Sequence, residues 1–311
     1  MNPASEALCE LGRLLAREGY RFVTPTPETH ARVIARRSEA RDLRDVFGWS
    51  LPFRADLLPP AWLALLREAG VLHEQAALLR AEVRFSTLGE RLWVHSAYPT
   101  LQADAVFFGP DSYRFCDFIE AELSRRGAPV HRVLDLGCGS GVGGLIAARA
   151  SAAEALCLAD INPRALALAE VNAALATSPP AVQFAHSDLF SNISGTFDLI
   201  VSNPPYMRDE GARVYRDGGG DHGEALSVRI VREALPRLAP GGVLLLYTGA
   251  AIVAGQDVFF SAVRPLLAAH AHRYRELDPD VFGEQLALPG YREVERIAAV
   301  GLVVERAQER G

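Results

Sequence analysis

The strongest constraint on the fold is an apolar run that ends in a glycine-rich turn and leads into an apolar helix. Residues 133–136 predict a buried strand, residues 137–144 contain five glycines, and residues 145–148 continue as helix. Glycine reaches positive φ without strain and lets a backbone approach a ligand closely. A strand, a glycine turn and a helix in that order are typical of the first unit of a nucleotide-binding α/β domain.

Acidic residues accompany three successive predicted strands. Asp135 lies in the first strand, Asp160 ends the second, and Asp188 follows the third. Asp160 comes about twenty residues after the glycine turn, where a carboxylate grips the ribose diol in βαβ nucleotide sites. The alternative role for Asp160 and Asp188 is helix N-capping. For Asp160, the following Asn162 and Pro163 provide a separate helix start, which would leave the Asp160 carboxylate available to bind.

A second informative motif is Asn203-Pro204-Pro205-Tyr206, which directly follows the apolar run 197–202. The two prolines prevent a helix from following the predicted strand. The turn gathers acceptors for N–H groups: the Asn203 side-chain oxygen, the Pro204 carbonyl and the face of the Tyr206 ring. A planar amide or amino nitrogen matches those acceptors. An ordinary proline turn is the alternative interpretation.

In this order and at these intervals, the glycine turn, Asp160, the pair Asp188-Leu189 and the Asn-Pro-Pro-Tyr turn resemble a class I S-adenosyl-L-methionine (SAM)-dependent methyltransferase. More narrowly, they resemble the amino-methyltransferases that include release-factor glutamine methyltransferases and several adenine and guanine N-methyltransferases. The resemblance covers residues 107–306. It implies an α/β fold with a Rossmann-like seven-stranded sheet, SAM as cofactor, and Asn203, Pro204 and Tyr206 as catalytic residues.

The resemblance also implies individual cofactor contacts. Asp135 would hold the amino group of SAM, Asp160 both ribose hydroxyls, and Ile161 the adenine face. Asp188 and Leu189 would meet the adenine edge. Carboxylates suit a ligand that carries a positive sulfonium. The remaining contacts are expected from the two turns, at Gly137, Cys138, Gly139, Gly141 and Asn203.

Residues 106–115 precede or open a helix, at the place where relatives carry a segment that covers the methionine end of SAM. Phe108 and Tyr113 are therefore predicted cofactor contacts, with aromatic faces that favour a sulfonium. Simple capping of the helix by Asp111 or Ser112 is the alternative.

The chain is predicted to divide near residue 105, into an N-terminal domain (1–105) and a SAM-binding methyltransferase domain (106–311). Helical patterns over 4–17, 28–37 and 60–69 precede a β-hairpin formed by 81–87 and 91–95. This order suggests a winged-helix-like unit. We predict that it caps the substrate or packs on the second domain. DNA binding is the alternative, although the charge balance does not support it.

The amino-acid composition limits the classes of partner expected for this chain. The net charge of −6 gives no bulk attraction to nucleic acid, and the absence of lysine beside abundant alanine suggests a GC-rich, bacterial genome. No apolar stretch approaches eighteen residues and no leader is recognisable, so the chain is expected to be soluble and cytoplasmic, with no membrane partner. The four cysteines form no Cys-x-x-Cys pair, and His270 and His272 lack a third ligand, so no metal is predicted.

Two departures from release-factor methyltransferases leave the acceptor open. The loop 207–226, predicted to be a lid or binding element, has an extra glycine, and 109–113 replaces the usual Pro-Arg-x-Glu-Thr-Glu-like segment. The main hypothesis is methylation of a protein glutamine, a nucleobase or a small metabolite amine. The alternative is cyclisation of SAM to an azetidine-type amino acid with release of methylthioadenosine. A SAM-sensing DNA-binding regulator is disfavoured, because a sensor does not need the acceptor turn.

Overall fold

A computed structural model describes residues 1–100, 102–177, 179–208 and 216–307. The chain folds into two compact units. The N-terminal unit consists of Met1–Tyr113, Gly139–Val142 and Arg164–Pro179. The second unit consists of Arg114–Cys138, Gly143–Pro163 and Pro180–Gly311.

The N-terminal unit begins with helices and continues with hairpins. The helices are α1 (Pro3–Arg17), α2 (Pro27–Ile34), α3 (Leu43–Phe47) and α4 (Pro60–Glu68), with a 3-10 turn at Ala55–Leu57. The antiparallel hairpins are β1 (Leu72–Gln75) with β2 (Leu78–Ala81), and β3 (Val83–Leu88) with β4 (Arg91–Ser96). Side-chain oxygens of Asn2, Thr26 and Asp42 accept backbone N–H groups at the starts of α1 to α3, so local capping fixes where these helices begin.

The predicted helices and the hairpin β3–β4 are confirmed, with shifts of a few residues at their ends. Helix α2 is shorter than predicted, because after Ile34 the backbone N–H groups of Arg36 and Arg37 bond three residues back. The hairpin β1–β2 was not predicted. Strand β1 is mostly exposed and polar, so it lacks the alternation of apolar and polar residues that identifies a strand.

The later elements run as alternating helices and strands. In chain order they are α5 (Pro110–Ser124), β5 (Arg132–Leu136), α6 (Val142–Ser151), β6 (Ala155–Asp160), α7 (Pro163–Leu175), β7 (Ala181–His186), β8 (Phe197–Ser202), α8 (Ala225–Ala234), β9 (Leu238–Val253), β10 (Gln256–Asp257), α9 (Val258–Leu267), β11 (Ala271–Asp278) and β12 (Val294–Glu305). Short 3-10 turns lie at Leu235–Arg237, Gly283–Ala287 and Pro289–Tyr291. No helix within the described ranges is both long and apolar enough to cross a membrane.

One sheet in the second unit has the strand order β11-β12-β9-β8-β5-β6-β7, and the two-residue β10 pairs with β9. Strands β5 to β9 are parallel, whereas β12 and β11 are antiparallel to their neighbours. Apolar residues of α8 and α9 share a buried core with β8, β9 and β12. The Rossmann-like α/β sheet of seven main strands is confirmed.

Strand β9 differs from the prediction. The sequence Ala239-Pro240-Gly241-Gly242 predicts a turn before a strand at 243–248, but the strand is continuous from Leu238 to Val253. The backbone of Gly241 and Gly242 bonds to Arg306, and the pairing of β8 with β9 shifts register between Phe197 and Leu199. The glycines therefore mark an irregularity within a strand.

Helix α7 contributes to the core of the N-terminal unit although it follows β6 in the chain. Its residues Ala165, Leu168 and Val171 are buried in that core. The Asn172 side chain accepts the Val94 N–H at 2.8 Å and donates to the Val94 carbonyl at 2.9 Å. The compact N-terminal unit thus extends beyond the predicted segment 1–105.

Candidate functional site

The order of the parallel strands brings four predicted site segments to one edge of the sheet. Leu136 of β5 is level with Ala159 of β6 and Ser202 of β8, and Asp160 is level with His186 of β7. The chain proceeds from β5 to β6 and β7 on one side and returns to β8 on the other side of β5. Ligands of open α/β sheets bind at this type of topological switch point, outside the carboxyl ends of the strands.

Asp135 is a buried carboxyl group at this edge, with a side chain 1% exposed. Its Oδ2 accepts the Gly144 N–H at 2.7 Å. Burial raises the pKa of Asp135 to about 8, although the Gly144 hydrogen bond opposes the rise and the Asp160 charge adds to it. No arginine or histidine within the described ranges forms an ion pair with Asp135. A buried acid without a cation is suited to a positively charged ligand.

The glycine turn leaves β5 in the left-handed region that favours glycine, with φ of +65° at Gly137, +54° at Gly139 and +78° at Gly141. The buried Cys138 donates its N–H to the Ala159 carbonyl at 3.0 Å, which joins the start of the turn to β6. Gly139 and Gly141 belong to the N-terminal unit. The contact of this turn with a cofactor stays a prediction.

Asp160 is the last residue of β6, and Ile161 follows it. The Asp160 Oδ1 accepts the Asn162 N–H at 2.8 Å, and helix α7 begins at Pro163. The predicted helix start at Asn162 and Pro163 is therefore confirmed. Ile161 is 52% exposed, which is unusual for a large apolar side chain at a strand end. An exposed isoleucine beside a carboxylate can cover the face of a flat ring.

Asp188 and Leu189 follow β7. The capping alternative for Asp188 is wrong, because no helix of the described residues begins there. Its carboxylate instead pairs with the Arg229 guanidinium of α8 at 2.9 Å, and both side chains are substantially exposed. Leu189 is buried, with a φ of +46°.

The Asn203 turn is fixed to the middle of the sheet by the preceding residue. The buried Ser202 hydroxyl donates to the Leu136 carbonyl at 2.7 Å and so joins β8 to β5. Asn203 is half-buried, and its side chain has no hydrogen-bond partner within the described ranges. Pro204 is buried. The amide of Asn203 is therefore held at the edge of the sheet with its bonding capacity unused by the protein.

The Tyr206 ring is largely buried and contacts two neighbours. It packs on Gly249, where an added Cβ would lie 2.1 Å from the ring. The Phe282 ring meets it edge-on, with 6.0 Å between the ring centres. The orientation of Tyr206 is thus set by the protein before any acceptor binds.

The loop 207–226 was predicted to be a lid or binding element. Residues 209–215 lie outside the described residues, but 216–226 pack directly on the acceptor turn. Met207 exchanges backbone hydrogen bonds with residues 216 and 218 at 3.1 and 2.8 Å. An added Cβ at Gly218 would lie 2.8 Å from the Pro205 carbonyl, and one at Gly223 would lie 2.2 Å from the Tyr206 carbonyl. The glycines of this segment therefore allow two backbone segments to touch.

Sequence reasoning missed Phe282 and Tyr291, which lie between β11 and β12. Phe282 has a φ of 57° and contacts Tyr206, and the Tyr291 hydroxyl accepts the Arg208 N–H at 2.7 Å. The signal available in the sequence was a long connection between the last two strands that carries aromatic residues.

Phe108 and Tyr113 belong to the N-terminal unit. The buried Phe108 ring stacks on His95 at 4.9 Å, and the Tyr113 hydroxyl accepts the Thr24 N–H at 3.0 Å. The Ser112 hydroxyl accepts the Gly109 N–H at 3.2 Å at the start of α5. The structure thus gives Phe108 and Tyr113 packing roles in their own unit, and their contacts with SAM stay predictions.

Comparison with known proteins identifies the family. A family model described as Methyltransferase small domain matches residues 118–254. A Methanocaldococcus jannaschii protein, provisionally named a protein N5-glutamine methyltransferase, is 35% identical over 141 residues, which cover 43% of this chain and 68% of that protein. The chain belongs to the class I SAM-dependent methyltransferases.

Other relatives of this methyltransferase carry names for different acceptors. The release factor glutamine methyltransferase of Deinococcus radiodurans is 35% identical over 160 residues, which cover 47% of this chain and 55% of the relative. The ribosomal RNA small subunit methyltransferase C of Pasteurella multocida is 39% identical over 129 residues, 41% of this chain and 36% of the relative. The chain thus spans about half of the first relative's length and about a third of the second's.

Among solved structures, wild-type Trm5b from Pyrococcus abyssi gives a TM-score of 0.50 at 15% identity, over 76% of this chain and 62% of that chain. This similarity concerns the fold alone.

The residues at the edge of the sheet fit SAM chemically. The buried Asp135 suits its ammonium group, Asp160 can accept hydroxyl donors, and Ile161 presents an exposed apolar face.

Proposed function

We propose that this methyltransferase acts on a planar nitrogen that carries N–H groups, an amide or amino nitrogen. The observation that carries the proposal is the Asn203 side chain, half-buried at the end of β8 and without a hydrogen-bond partner within the described ranges. A polar amide left unsatisfied near a protein interior is unfavourable unless a ligand completes its bonds. An N–H-bearing acceptor would complete them.

Some residues of the turn position the acceptor nitrogen, and one orients the plane of the acceptor. The Asn203 oxygen accepts one N–H of the acceptor, and the Pro204 carbonyl accepts a second. The Tyr206 ring, positioned by its contacts with Gly249 and Phe282, provides a flat surface for the acceptor plane. Bound SAM supplies an electrophilic methyl group on its sulfonium. The turn needs no strong base, because alignment and the exclusion of water provide much of the acceleration.

The cofactor residues are part of the same proposal. Asp135 holds the amino group of SAM and Asp160 its ribose hydroxyls. Ile161 packs on adenine, and Asp188 with Leu189 meets the adenine edge. Two observations support these assignments. The carboxyl ends of β5, β6, β7 and β8 lie at the same edge of the sheet, and Asp135 is buried there without an ion-pair partner among the described residues.

Relatives named for glutamine in proteins and for ribosomal RNA support an acceptor of either amide or nucleobase type. Both provide a flat nitrogen with N–H groups, which is the chemistry that the Asn203 turn can recognise. We therefore propose the nitrogen type and leave the class of molecule that carries it to experiment.

Substitutions of Asn203 test the proposal. Asn203→Ala should lower kcat/KM by on the order of one hundredfold, corresponding to about 2 to 4 kcal/mol for one preorganised polar partner. Asn203→Asp keeps an acceptor oxygen and should retain more activity. Circular dichroism is the control for folding, and a calorimetric titration confirms that both variants still bind SAM at the concentration of the assay. Unchanged turnover by Asn203→Ala would contradict the proposed role.

Incubation with SAM alone separates the proposal from cyclisation of SAM. Methyl transfer requires an acceptor and yields S-adenosylhomocysteine only when one is present. Methylthioadenosine formed from SAM alone would overturn the proposed function.

A further inference from the structure

A cavity of about 670 Å³ lies in the second unit. Its lining comes from the end of α5 and the residues that follow that helix, and from β8, β9, β11 and β12 with residues beside them. Leu199 of β8, which lines the cavity, is level with Val243 of β9 and comes three positions before Ser202. The cavity therefore lies toward the amino end of β8, whereas the acceptor turn follows its carboxyl end. It shares no lining residue with the acceptor turn or the glycine turn.

The apolar part of the lining is aliphatic. It consists of leucine, valine and alanine side chains, among them Leu123, Leu199, Val243 and Ala271. Leu199 and Val243 are buried, Leu123 is half-buried and Ala271 is exposed, so the lining extends from the core to the surface. The volume is that of a typical small-molecule site. Because no aromatic ring of the described residues lines this cavity, it favours an aliphatic ligand over a flat one.

The charged part of the lining is positive. Four arginines and two glutamates line the cavity, which gives it a formal charge of +2 in a chain whose net charge is −6. Glu122 pairs with Arg125 at 2.9 Å and with Arg273 at 2.8 Å, and Glu305 also pairs with Arg273 at 2.8 Å. Both glutamates are therefore already engaged, and the excess charge of the lining is complementary to an anion.

Arg126 has hydrogen-bonding capacity that the protein does not use. Its Nη2 donates to the Gly241 carbonyl at 2.8 Å, which holds the guanidinium in place. Its Nη1 makes no hydrogen bond with a described residue and, unlike the unpartnered Nε, is not buried. No carboxylate of the described residues pairs with Arg126, and burial lowers its pKa although the charges of Glu305 and Asp198 oppose that shift. A half-buried guanidinium of this kind gains strong hydrogen bonds from an anionic partner.

We propose that this cavity binds an aliphatic molecule with an anionic head group, a carboxylate or a phosphate. Arg126 donates from Nη1 to the head group, and the positive excess of the lining stabilises its charge. The leucine, valine and alanine side chains receive the aliphatic chain. This inference goes beyond the proposed function, because the ligand is neither SAM nor the methyl acceptor and the cavity uses no residue assigned to either.

Octanoate serves as the probe in calorimetric titration of the full chain. Its analogues are 1-octanol, which has the same chain without a charge, octylammonium, which reverses the charge, and acetate, which lacks the chain. Octanoate should bind saturably, and each analogue should bind at least about tenfold more weakly, because each lacks the charge-assisted hydrogen bonds or the apolar burial. Octyl phosphate identifies the preferred head group, according to whether it binds more tightly or more weakly than octanoate.

Three outcomes of these titrations would overturn the proposal. They are no saturable binding of octanoate, binding of 1-octanol or octylammonium as tight as that of octanoate, and displacement of octanoate by SAM. The last would mean that octanoate occupies the SAM site. We expect octanoate to bind with the same affinity in the presence of saturating SAM.

A charge substitution locates the head group. Arg126→Met keeps much of the apolar stem and should weaken octanoate binding at least about tenfold, while the binding of 1-octanol should change little. Arg149→Met is the matched control, since Arg149 is an exposed arginine of the same unit that pairs with Glu120 and does not line the cavity. Wild-type affinity for octanoate in a folded Arg126→Met would contradict the site, with circular dichroism as the check on folding.

A second substitution fills the cavity without removing a charge. Ala271 and Arg273 of β11 both line the cavity, so His272 between them lies on the opposite face of the strand. Ala271→Phe places a ring at an exposed position of the lining and should weaken the binding of octanoate and 1-octanol alike. His272→Phe adds a ring on the other face and should bind octanoate like the wild type. Equal affinities in the two variants would contradict the location.

The comparison of octanoate with its analogues on the wild-type chain decides the proposal even if Arg126→Met fails to fold. Methyl transfer is not a readout in any of these titrations. Failure of the proposed function would therefore leave the octanoate result intact, and the reverse also holds.

Discussion

At the scale of single residues, the site depends on side chains whose polar groups the protein does not fully satisfy. Asp135 is a buried acid without a cation, and Asn203 is a half-buried amide without a hydrogen-bond partner within the described ranges. Each arrangement lowers the stability of the cofactor-free protein. Such strain is expected where a ligand completes the interactions, and it makes both residues testable.

Asp135→Asn should change how stability depends on pH. The folded-state pKa of Asp135 is about 8, raised from an unfolded value of about 4. The stability that this proton contributes is therefore fully present below about pH 4 and is lost as pH rises through about 8. Between these values, the free energy of unfolding of the wild type should fall relative to Asp135→Asn by at most about 1.4 kcal/mol per pH unit. Urea denaturation of both cofactor-free proteins measures the difference, and parallel pH profiles would show that Asp135 is ionised in the fold.

Asp188 has two candidate roles, a contact with SAM and a surface ion pair with Arg229, and substitutions of the two residues distinguish them. Because both side chains are exposed, breaking the pair should change stability by no more than about 1 kcal/mol. Asp188→Asn should weaken SAM binding, whereas Arg229→Met should leave SAM affinity close to that of the wild type. Titration calorimetry measures both affinities. Equal loss in the two variants would mean that Asp188 acts only through its pair with Arg229.

At the scale of elements, the acceptor turn is supported by the glycine segment 216–226 and by the connection between β11 and β12. The first supplies backbone contacts to Met207, and the second supplies the Phe282 ring and the Tyr291 hydroxyl. The geometry of the turn is therefore fixed by segments that follow it in the chain.

Gly218→Ala tests this support. An added Cβ would lie 2.0 Å from the Gly223 carbonyl and 2.8 Å from the Tyr206 backbone, so one backbone segment must move. We expect a loss of stability of about 1 to 3 kcal/mol, typical of overpacking, and a larger relative loss of methyl transfer. Gly127→Ala is the control, because no atom lies within 4 Å of its added Cβ. Thermal unfolding and turnover of both variants are the measurements, and wild-type turnover by Gly218→Ala would contradict the supporting role.

At the scale of the whole molecule, the sequence predicted the features that depend on the order of neighbouring elements along the chain. The strand and glycine turn at 133–144 predicted the α/β sheet, and the positions of Asp160, Asp188 and Asn203 after their strands placed them at one edge, because parallel strands share a direction. The edge was predictable from chain order alone.

Features that depend on long-range packing were not predicted. Phe282 reaches Tyr206 across 76 positions of sequence, and the apolar face of α7 joins the N-terminal core through packing that no local pattern specifies. The polar strand β1 lacks alternation, and Arg84 looks like an ordinary surface charge until its burial is known. Sequence periodicity records the class of an element, whereas burial and partner choice depend on the whole fold.

The central claim is methyl transfer to nitrogen at the Asn203 turn, and the most direct test follows the methyl group. Extract from cells that lack the gene is incubated with the enzyme and SAM carrying an isotopic label on the methyl, and the labelled product is isolated and hydrolysed. We predict label in an N-methyl group, an equal amount of S-adenosylhomocysteine, and little label with Asn203→Ala. Label on oxygen or carbon, or methylthioadenosine in place of S-adenosylhomocysteine, would contradict the claim.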